Sequence, residues 1–342
     1  MKIGILGWYY QNNAGDDRIL ECLSGKLKAL GVTDVAVFIA WEELETKIHD
    51  INTCDFLLVG GGGLILRNTN RVVDLMERVT IPWGFIGVSI DSVGNDNIDF
   101  ITYIAKHAKF VVVRDKFSVD IFNNYMDGNL FLAPDLTFLN PYPKASNSGE
   151  QGTVALSLRP WKANIFKQYT RNYHRFNKLN HKLPFLSSVL GLWDIKKFLN
   201  LVKISTTKRI TPFPLHINSK NGDNLLFRDY LNFNEELEFN INDLRNSDYL
   251  IGMRLHSLIF ATQMGVPFIA VSYANKIDNY LADLGMLEFC VNVNDFKKLP
   301  NKIKALQSNR TRIVEMLVSK SDKNQSEINT LLEQIYKTYI LC

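Results

Sequence analysis

The chain has 342 residues and a mass of 39.2 kDa, more than one hydrophobic core usually organises, so we expect two domains. Hydrophobic residues make up 46% and charged residues 22% of the sequence, a balance that excludes a disordered or fibrous chain. The formal net charge of only +4 argues against a nucleic-acid-binding protein, although a global sum can conceal a local patch.

The four cysteines are scattered, with no C-x-x-C spacing and no nearby histidine pair. They indicate neither a disulfide framework nor a zinc site, and no metal is expected. The N-terminal sequence MKIGILGWYYQNN has a short apolar run that is typical of a first strand rather than a signal peptide. The longest apolar run, residues 56–66, is too short to cross a bilayer. We therefore expect a cytoplasmic protein without a transmembrane helix.

The first part of the chain alternates short apolar strands with amphipathic helical stretches, the pattern of a parallel sheet covered by helices. The predicted strands are Lys2–Leu6, Val35–Phe38, Phe56–Val59, Pro82–Val88, Phe110–Val113 and Leu130–Leu132. Helices are predicted from about Asp17 to Leu30, where Gly31 ends the helix, and from residue 114 onward. The segment KASNSGEQG, residues 144–152, is rich in turn-forming residues and predicts a domain linker.

A second α/β domain follows this linker. Its predicted strands are Val154–Leu158, Ile210–Leu215, Tyr249–Gly252 and Pro267–Val271. We predict an α/β fold of two Rossmann-like domains facing across a cleft, an N-terminal one over residues 1–145 and a C-terminal one over residues 153–300. The charged helices of residues 301–342 are expected to pack back across the interface. Open parallel sheets bind ligands at the carboxyl ends of their strands, so functional residues are expected directly after strands.

A basic insertion interrupts the second domain over residues 160–209. Residues 159–209 contain twelve Lys or Arg and one acid, a net charge of +11, which leaves −7 for the rest of the chain. Aromatic residues are interspersed among the basic ones. One interpretation is a helical insertion whose charges face water and whose aromatic residues pack on the second domain. The other is a surface that contacts an anionic membrane, as a peripheral protein at its inner face, or a diphosphate-bearing acceptor.

Two glycine-containing segments follow strands of the first domain. Asn13-Ala14-Gly15-Asp16 turns into a helix and can present backbone N–H groups to a polar ligand, and the alternative is that Asp16 only caps the helix. Gly60 to Gly63 have no Cβ atoms, which is typical of a place where the backbone comes close to another group. This run is not the dinucleotide-binding fingerprint. It predicts a loop that faces a ligand, with a plain turn as the alternative.

Three further polar residues follow strands. Asp135 comes after Pro134, where its alternative role is that of a turn residue. Arg159 ends the first strand of the second domain and is expected to face the cleft, where a guanidinium can bind a carboxylate or phosphate through two hydrogen bonds. Lys276 is either another cationic contact or a surface lysine.

The segment Gly252-Met253-Arg254-Leu255-His256-Ser257 carries the strongest functional signal. It places a guanidinium and an imidazole at a strand end and a helix N-terminus, where the helix dipole favours anions. Such a group can bind a phosphate and supply a proton in the same place. We therefore predict catalytic roles for Arg254 and His256. The sequence has no Ser-His-Asp grouping, P-loop, paired-carboxylate motif or metal-ligand spacing.

Eight short motifs occur in a fixed order along most of the chain: Asn13-x-Gly15-Asp16, the glycine run 60–63, Arg114-Asp115-x-x-Ser118, Pro134-Asp135, Ser157-Leu158-Arg159-Pro160, Gly252-x-Arg254-Leu255-His256-Ser257, Gly265-Val266-Pro267 and Ser272-Tyr273-x-x-Lys276. Each motif is unspecific alone, but the ordered set resembles the polysaccharide pyruvyl transferase family. The basic insertion and the segment 212–223 depart from the family's pattern and leave the acceptor site open.

The resemblance implies a fold similar to that of GT-B glycosyltransferases, with phosphoenolpyruvate as the donor substrate and no cofactor. The acceptor would be a sugar of a cell-surface polysaccharide or of its lipid-linked precursor, and the product a pyruvate ketal formed with release of phosphate. The family's donor-binding arginines and histidine would fall on Arg159, Arg254 and His256. We place Leu255 and Lys276 with them at the donor site. For the acceptor side and the cleft we predict Asn13, Gly15, Asp16, Gly61, Gly62, Arg114 and Asp135.

The chemistry of this reaction fits the same residues. Phosphoenolpyruvate carries a phosphate and a carboxylate, so two arginines are a reasonable minimum for binding it. Ketal formation requires a proton on the enol methylene, and His256 is the predicted general acid. The base that activates the acceptor hydroxyl is not identified from the sequence.

Two other functions fit the same fold. A GT-B nucleotide-sugar glycosyltransferase would need an acidic residue in the second domain to bind the ribose, and Glu235, Glu236 and Glu238 are candidates. A non-catalytic glycan- or membrane-binding protein is the other, and the intact Arg254-Leu255-His256 triplet argues against it. The sequence leaves the oligomeric state open and gives no reason to expect a nucleic-acid partner.

Overall fold

A computed structural model of the chain divides into two compact units. The first unit comprises residues 1–141 and 322–342, and the second comprises residues 142–321. The structure describes residues 1–41, 43–65, 69–90, 92–145, 151–160, 195–219, 222–233, 236–293 and 295–341. The cleft predicted between the two domains stays a prediction, and so do the predicted domain boundaries.

The first unit is built on a parallel six-stranded sheet. Its strands are β1 (Lys2–Gly7), β2 (Asp34–Ile39), β3 (Phe56–Ile65), β4 (Trp83–Ile90), β5 (Val111–Val113) and β6 (Leu130–Leu132). They lie in the order β2-β1-β3-β4-β5-β6, and every neighbouring pair is parallel. All eight residues of β4 are buried, as expected of a central strand with both faces covered.

Five α-helices of the first unit connect these strands: α1 (Ala14–Ala29), α2 (Leu44–Ile51), α3 (Val73–Met76), α4 (Ile98–His107) and α5 (Lys116–Phe122). Short 3-10 helices cover Asn70–Val72 and Leu136–Leu139. Helix α1 begins three residues earlier than predicted because Asn13 caps it, accepting a hydrogen bond from the backbone N–H of Gly15. At α5 the side chain of Asp115 accepts one from the N–H of Ser118 in the same way.

The four consecutive glycines do not form a loop, which corrects the prediction. They lie inside β3, which runs on to Ile65 beside β4 and shifts its register between Gly62 and Ile65. Gly61 and Gly62 have φ angles of +83° and +86°, a left-handed backbone that residues with a Cβ rarely adopt. The glycines therefore allow an irregular, buried end of a strand.

The second unit contains a parallel five-stranded sheet. Its strands are β7 (Thr153–Ser157), β8 (Arg209–Pro212), β9 (Tyr249–Gly252), β10 (Phe268–Ser272) and β11 (Cys290–Asn292), in the order β11-β10-β9-β7-β8. Strand β9 has the predicted bounds. Strand β8 ends three residues before the predicted end, since Pro214 has no N–H with which to continue the ladder.

The described helices that begin in the second unit are α6 (Ile195–Ser205), α7 (Asp223–Leu231), α8 (Ile241–Arg245), α9 (Leu255–Met264), α10 (Asn275–Leu284), α11 (Leu299–Ser308) and α12 (Arg310–Ile335). Helix α9 is apolar on all sides and buried from Ser257 onward, as expected of a helix packed on a sheet. It ends at Gly265, whose φ of +70° gives the left-handed C-cap. Helix α12 ends in the first unit, followed by a π-helical turn at Tyr336–Ile340.

Most of the predicted basic insertion, residues 161–194, lies outside the described residues, as do residues 146–150 of the predicted linker. Helix α6 is the described part of the insertion. It exposes Lys196 and Lys197 and buries Phe198, whose ring lies edge-on to Phe296 at a centroid distance of 5.3 Å. None of the described helices is long and apolar enough to cross a membrane.

Candidate active site

Two arginines follow neighbouring strands at the carboxyl edge of the second sheet. In the pairing of β7 with β9, Ser157 lies opposite Gly252, and Arg159 and Arg254 each come two residues after these partners. The chain builds β8 on one side of β7 and then crosses to β9 on the other side, so this edge is the switch point of the sheet. Ligands of open parallel sheets bind at such a point.

Arg254 is held by a buried carboxylate, that of Asp223. Its Nε lies 3.1 and 3.0 Å from the two carboxylate oxygens, and its Nη2 donates to Oδ1. The Asp223 side chain is 0% exposed. This bidentate pair occupies one side of the guanidinium, and Nη1 makes no hydrogen bond to any residue in the described ranges.

Asp223 also fixes the chain that follows β8. Its Oδ2 accepts hydrogen bonds from the backbone N–H groups of Leu215 and His216, both at 3.1 Å. Asp223 is the first residue of α7, where a carboxylate is favoured by the helix dipole. One buried carboxylate therefore connects the residues after β8 with the arginine after β9.

Arg159 is held by an aromatic residue, Tyr273, which directly follows β10. Nη1 of Arg159 donates a hydrogen bond of 2.9 Å to the Tyr273 hydroxyl oxygen. The guanidinium carbon lies 4.9 Å from the centroid of the same ring, within cation–π range. Both arginines of this edge are thus oriented by side chains far away in the sequence.

Tyr273 lies among positive charges. Burial by itself raises the pKa of its hydroxyl, but the charges of Arg159, Lys276 and Arg254, together with the hydrogen bond from Arg159, lower it to about 8. The ordinary value for tyrosine is 10.0. The charge of Lys276, in the first turn of α10, contributes to this lowering along with the two arginines.

His256 lies in the first turn of α9, directly after Arg254 and Leu255. Its ring stacks on Phe260 at a centroid distance of 6.0 Å, and the side chain is half-buried. Arg254 itself is the N-cap of this helix, so the predicted guanidinium, imidazole and helix N-terminus do occur together.

A second histidine, His216, belongs to the same edge. Burial and the nearby charges of Arg254 and Arg159 hold the pKa of its imidazole below the ordinary 6.5, although Asp223 opposes the shift. His216 therefore stays neutral to a lower pH than an exposed histidine.

The first sheet brings a different set of residues to its own carboxyl edge. The side-chain amide of Asn13 donates to the carboxylate of Asp16, which is buried. A Cβ on Gly62 would lie 2.8 Å from Oδ1 of Asp16, so the predicted Asn13-x-Gly15-Asp16 motif and the glycine run meet here. Strands β1 and β3, which precede them, flank the switch point of this sheet.

Tyr9 packs against the glycine run of this edge. It is fully buried, and its hydroxyl donates to the carbonyl of Gly60. Burial and, secondly, the charge of Asp16 raise the pKa of Tyr9 far above its ordinary value. The neighbouring Trp8 and Tyr10 are 38% and 66% exposed, and the backbone N–H of Tyr10 donates to Asp17 at 2.7 Å.

Arg114 and Asp135, both predicted on the acceptor side or the cleft, bind each other. Nη1 of Arg114 lies 2.8 Å from Oδ2 of Asp135, and the two side chains are 8% and 4% exposed. Arg114 also donates to the hydroxyl of Ser89 at 3.3 Å, and Asp135 accepts from the N–H and hydroxyl of Thr137. Burial lowers the pKa of Arg114, but the charge of Asp135 and its hydrogen bond outweigh burial and raise it.

Sequence reasoning missed three side chains of the second edge: Asp223, Tyr273 and His216. Each follows a strand or begins a helix, which was the available signal. Tyr273 belongs to the Ser272-Tyr273-x-x-Lys276 motif, but no role was predicted for it. Asp223 and His216 lie in the segment 212–223, which departs from the family's pattern. Within the described ranges, no group of three or more His, Cys, Asp or Glu side chains could hold a metal ion.

Comparison with solved structures identifies the fold. The Anabaena protein Alr3699/HepE, solved in complex with UDP and glucose, matches with a TM-score of 0.55 and 12% identity, covering 99% of each chain. A UDP-N-acetylglucosamine 2-epimerase matches with a TM-score of 0.51 and 9% identity, covering 99% of this chain and 96% of that one. At these identities the likeness concerns the fold alone, and it confirms the predicted GT-B-like α/β class.

Comparison of sequences identifies the family. No match was found among curated proteins. The profile described as polysaccharide pyruvyl transferase matches residues 13–275, which include every residue of both carboxyl edges described above except Trp8, Tyr9, Tyr10 and Lys276. The chain therefore belongs to the polysaccharide pyruvyl transferase family.

Proposed function

We propose that this protein transfers the pyruvyl group of phosphoenolpyruvate to a sugar of a cell-surface polysaccharide or of its lipid-linked precursor. The product would be a pyruvate ketal that bridges two hydroxyls, formed with release of phosphate. The observation that carries the proposal is the pair Arg159 and Arg254, which stand in equivalent register at the switch point of the second sheet.

The charges of this edge match those of the donor. Phosphoenolpyruvate has a phosphate and a carboxylate, and Arg159, Arg254 and Lys276 offer three cations against the one buried carboxylate of Asp223. A guanidinium already oriented by a partner loses less side-chain entropy when it binds an anion. The Nη1 group of Arg254, opposite the side that Asp223 occupies, is the part of that guanidinium that would bind the donor.

His256 would supply the proton. A general acid that protonates the enol methylene makes the adjacent carbon electrophilic, and an acceptor hydroxyl then attacks that carbon. Attack by a second hydroxyl expels phosphate and closes the ketal. The position of His256 beside Arg254, in the first turn of α9, supports this role.

The acceptor sugar would bind at the carboxyl edge of the first sheet. Asn13 and Asp16 offer hydrogen-bonding groups there, and the missing Cβ atoms of Gly61 and Gly62 leave room for the side chains of Tyr9 and Asp16. Trp8 and Tyr10, on either side of Tyr9 in the sequence, are exposed aromatic residues, and the C–H face of a sugar can pack on such rings. Arg114 and Asp135 would act by holding the edge together, because they already pair with each other.

A nucleotide-sugar glycosyltransferase is the competing function, since a protein of similar fold was solved with UDP and glucose. The test is a thermal-shift screen of phosphoenolpyruvate against nucleotide sugars, because a ligand that binds only the folded state raises Tm. Phosphoenolpyruvate should raise the Tm of the wild type but not that of Arg159→Ala. Stabilisation by a nucleotide sugar and not by phosphoenolpyruvate would favour the glycosyltransferase. Stabilisation by neither would point to a non-catalytic protein.

Catalysis is tested by phosphate release from phosphoenolpyruvate with candidate lipid-linked sugars as acceptors. We expect His256→Ala to lower the rate by about 10²–10⁴-fold, the usual contribution of a general acid. His49→Ala, at an exposed histidine of α2, is the matched control and should leave the rate unchanged. Normal phosphate release by His256→Ala would show that His256 is not the proton donor.

A further inference from the structure

The proposed reaction needs a group that accepts the proton of the acceptor hydroxyl, and the second edge contains one that has no role so far. Tyr273 directly follows β10, the strand next to β9 in the sheet. In that pairing Ala270 lies opposite Gly252, so Tyr273 emerges at the same edge as Arg254. Its hydroxyl oxygen receives the hydrogen bond from Arg159.

The surroundings of Tyr273 stabilise a phenolate. Among the described residues, Arg159 after β7, Arg254 after β9 and Lys276 on α10 lower the pKa of Tyr273, and all three are cations. Tyr9, at the other sheet, shows the opposite case: it is buried near the anionic Asp16, and its pKa is raised. Burial acts to raise the pKa of both hydroxyls, so the sign of the neighbouring charges makes the difference.

The buried carboxylate at this edge, that of Asp223, already has several binding partners. Asp223 is fully buried and binds Arg254 together with two backbone N–H groups. Asp223 is therefore a positioning residue for Arg254.

We propose that Tyr273, as the phenolate, accepts the proton of the acceptor hydroxyl that attacks the donor. This inference rests on the proposed pyruvyl transfer. In the first step the hydroxyl proton moves to the Tyr273 oxygen while the hydroxyl oxygen bonds to the central carbon of phosphoenolpyruvate. The electrons of the carbon–carbon double bond take the proton of His256 onto the methylene, which becomes the methyl group.

The second step restores both residues. The second hydroxyl loses its proton to the now neutral imidazole of His256 as its oxygen bonds to the same carbon. The bond from that carbon to the phosphate oxygen breaks, and the leaving phosphate takes up the proton held by Tyr273. Two hydroxyl protons thus end on the methyl group and on phosphate, and the reaction balances without an oxidant, a reductant or any further reactant.

Binding of the donor should strengthen this base. The negative charge of phosphoenolpyruvate offsets the three cations, so it raises the affinity of the phenolate for a proton. By linkage, donor binding at a pH where Tyr273 is partly ionised should be accompanied by proton uptake at this residue. Proton uptake can be observed without turnover.

The first experiment follows phenolate absorbance during a pH titration of the wild type and of Tyr273→Phe. The difference between the two should show one tyrosine of the chain's 13 titrating near pH 8, well before ordinary tyrosines. Adding phosphoenolpyruvate at the midpoint should reduce the absorbance of the wild type but not that of Tyr273→Phe. Tyr280→Phe, a tyrosine of α10 that donates to the Thr262 hydroxyl, is the matched control and should retain both signals. A difference titration near pH 10 would overturn the proposal.

The second experiment measures kcat and KM against pH. If Tyr273 is the proton acceptor, Tyr273→Phe should lower kcat by about 10²-fold or more, change the KM for phosphoenolpyruvate only a few-fold, and abolish the rise of kcat/KM through pH 8, the profile that reports the free enzyme. If it only orients Arg159, KM should rise and the pH profile should stay. Replacing Tyr273 with a fluorinated tyrosine of lower intrinsic pKa should move the rise to lower pH.

The two hypotheses fail in distinguishable ways. A wild type that releases no phosphate from phosphoenolpyruvate with any acceptor would overturn the proposed function and with it the role of Tyr273. An active wild type whose Tyr273→Phe variant keeps its kcat and pH profile would overturn the proton-acceptor role alone.

Discussion

The two sheets share one topology and differ in their charge. In each sheet, the first strand along the chain lies between the second and the third, and the later strands follow beyond the third. Each sheet therefore has a switch point at its carboxyl edge. At the edge of the first sheet the arginine Arg114 is neutralised by Asp135. Among the described residues at the edge of the second sheet, three cations lower the pKa of Tyr273, and the buried carboxylate of Asp223 pairs with one of them, Arg254.

This difference shows that topology supplies the position of a ligand site and the side chains supply its chemistry. The first edge, with its paired charges, amide and carboxylate oxygens and exposed aromatic rings, suits a neutral, hydroxyl-rich ligand such as a sugar. The described residues of the second edge include more cations than carboxylates, which suits an anion. The proposed transfer needs one site of each kind.

The largest effect is expected from breaking the internal pair of the first edge. Arg114→Met leaves Asp135 buried without its counter-charge, and we expect a loss of about 3–5 kcal/mol in the free energy of unfolding. Denaturant unfolding measures this loss. Arg312→Met removes an exposed pair with Glu288 at 3.3 Å and should cost at most about 0.5 kcal/mol. Equal losses in the two variants would mean that the Arg114 pair is not a structural element.

The corresponding change at the second edge should affect activity rather than stability. Arg159→Met removes a cation assigned to the donor, and we expect phosphate release to fall by about 10²–10³-fold. Its free energy of unfolding should change less than that of Arg114→Met. The control is Arg209→Met, an exposed arginine at the opposite, amino end of the sheet, in β8. A large loss of stability with unchanged kinetics would place Arg159 in the same class as Arg114.

A smaller effect is expected from filling the space beside Asp16. Gly62→Ala combines a left-handed backbone with a Cβ 2.8 Å from the carboxylate, and we expect a loss of about 2–3 kcal/mol. Gly128→Ala has a similar φ of +94° but nothing within 4 Å of its new Cβ, so it should cost only about 1 kcal/mol. The difference between the two measures the contact. If both cost the same, the close approach of Gly62 to Asp16 is not needed for stability.

The smallest effect is a pH dependence of stability from His216. Its pKa is lower in the folded than in the unfolded state, so below pH 6.5 the unfolded chain binds more protons. Stability should therefore fall as pH drops from 6.5 through the lower folded value, and it should not change on this account above 6.5. His216→Gln should flatten this part of the profile in denaturant unfolding, whereas His49→Gln should not. An unchanged slope in His216→Gln would contradict the assignment.

The sequence located most of the strands and the positions of the second-edge residues. Parallel strands covered on both faces are continuous apolar runs, and Tyr249–Gly252 is one that ends in a polar, glycine-marked segment. Arg159 and the Arg254-Leu255-His256 triplet could be assigned to the edge because each directly follows such a run. The prediction of a loop at the glycine run was wrong. Consecutive glycines usually mark turns, whereas here pairing with β4 keeps them in the sheet.

The sequence by itself determined that the chain folds as two parallel α/β sheets with arginines and a histidine after the strands of the second, since periodicity and apolar runs are local properties. Only the tertiary structure decided which partners hold these charged residues. Arg114 is neutralised by a residue 21 positions away, Arg254 is oriented by one 31 positions away, and Arg159 is held by one 114 positions away. Such partners meet through the order of strands in the sheet, and that order is set by packing of the whole unit rather than by any local segment.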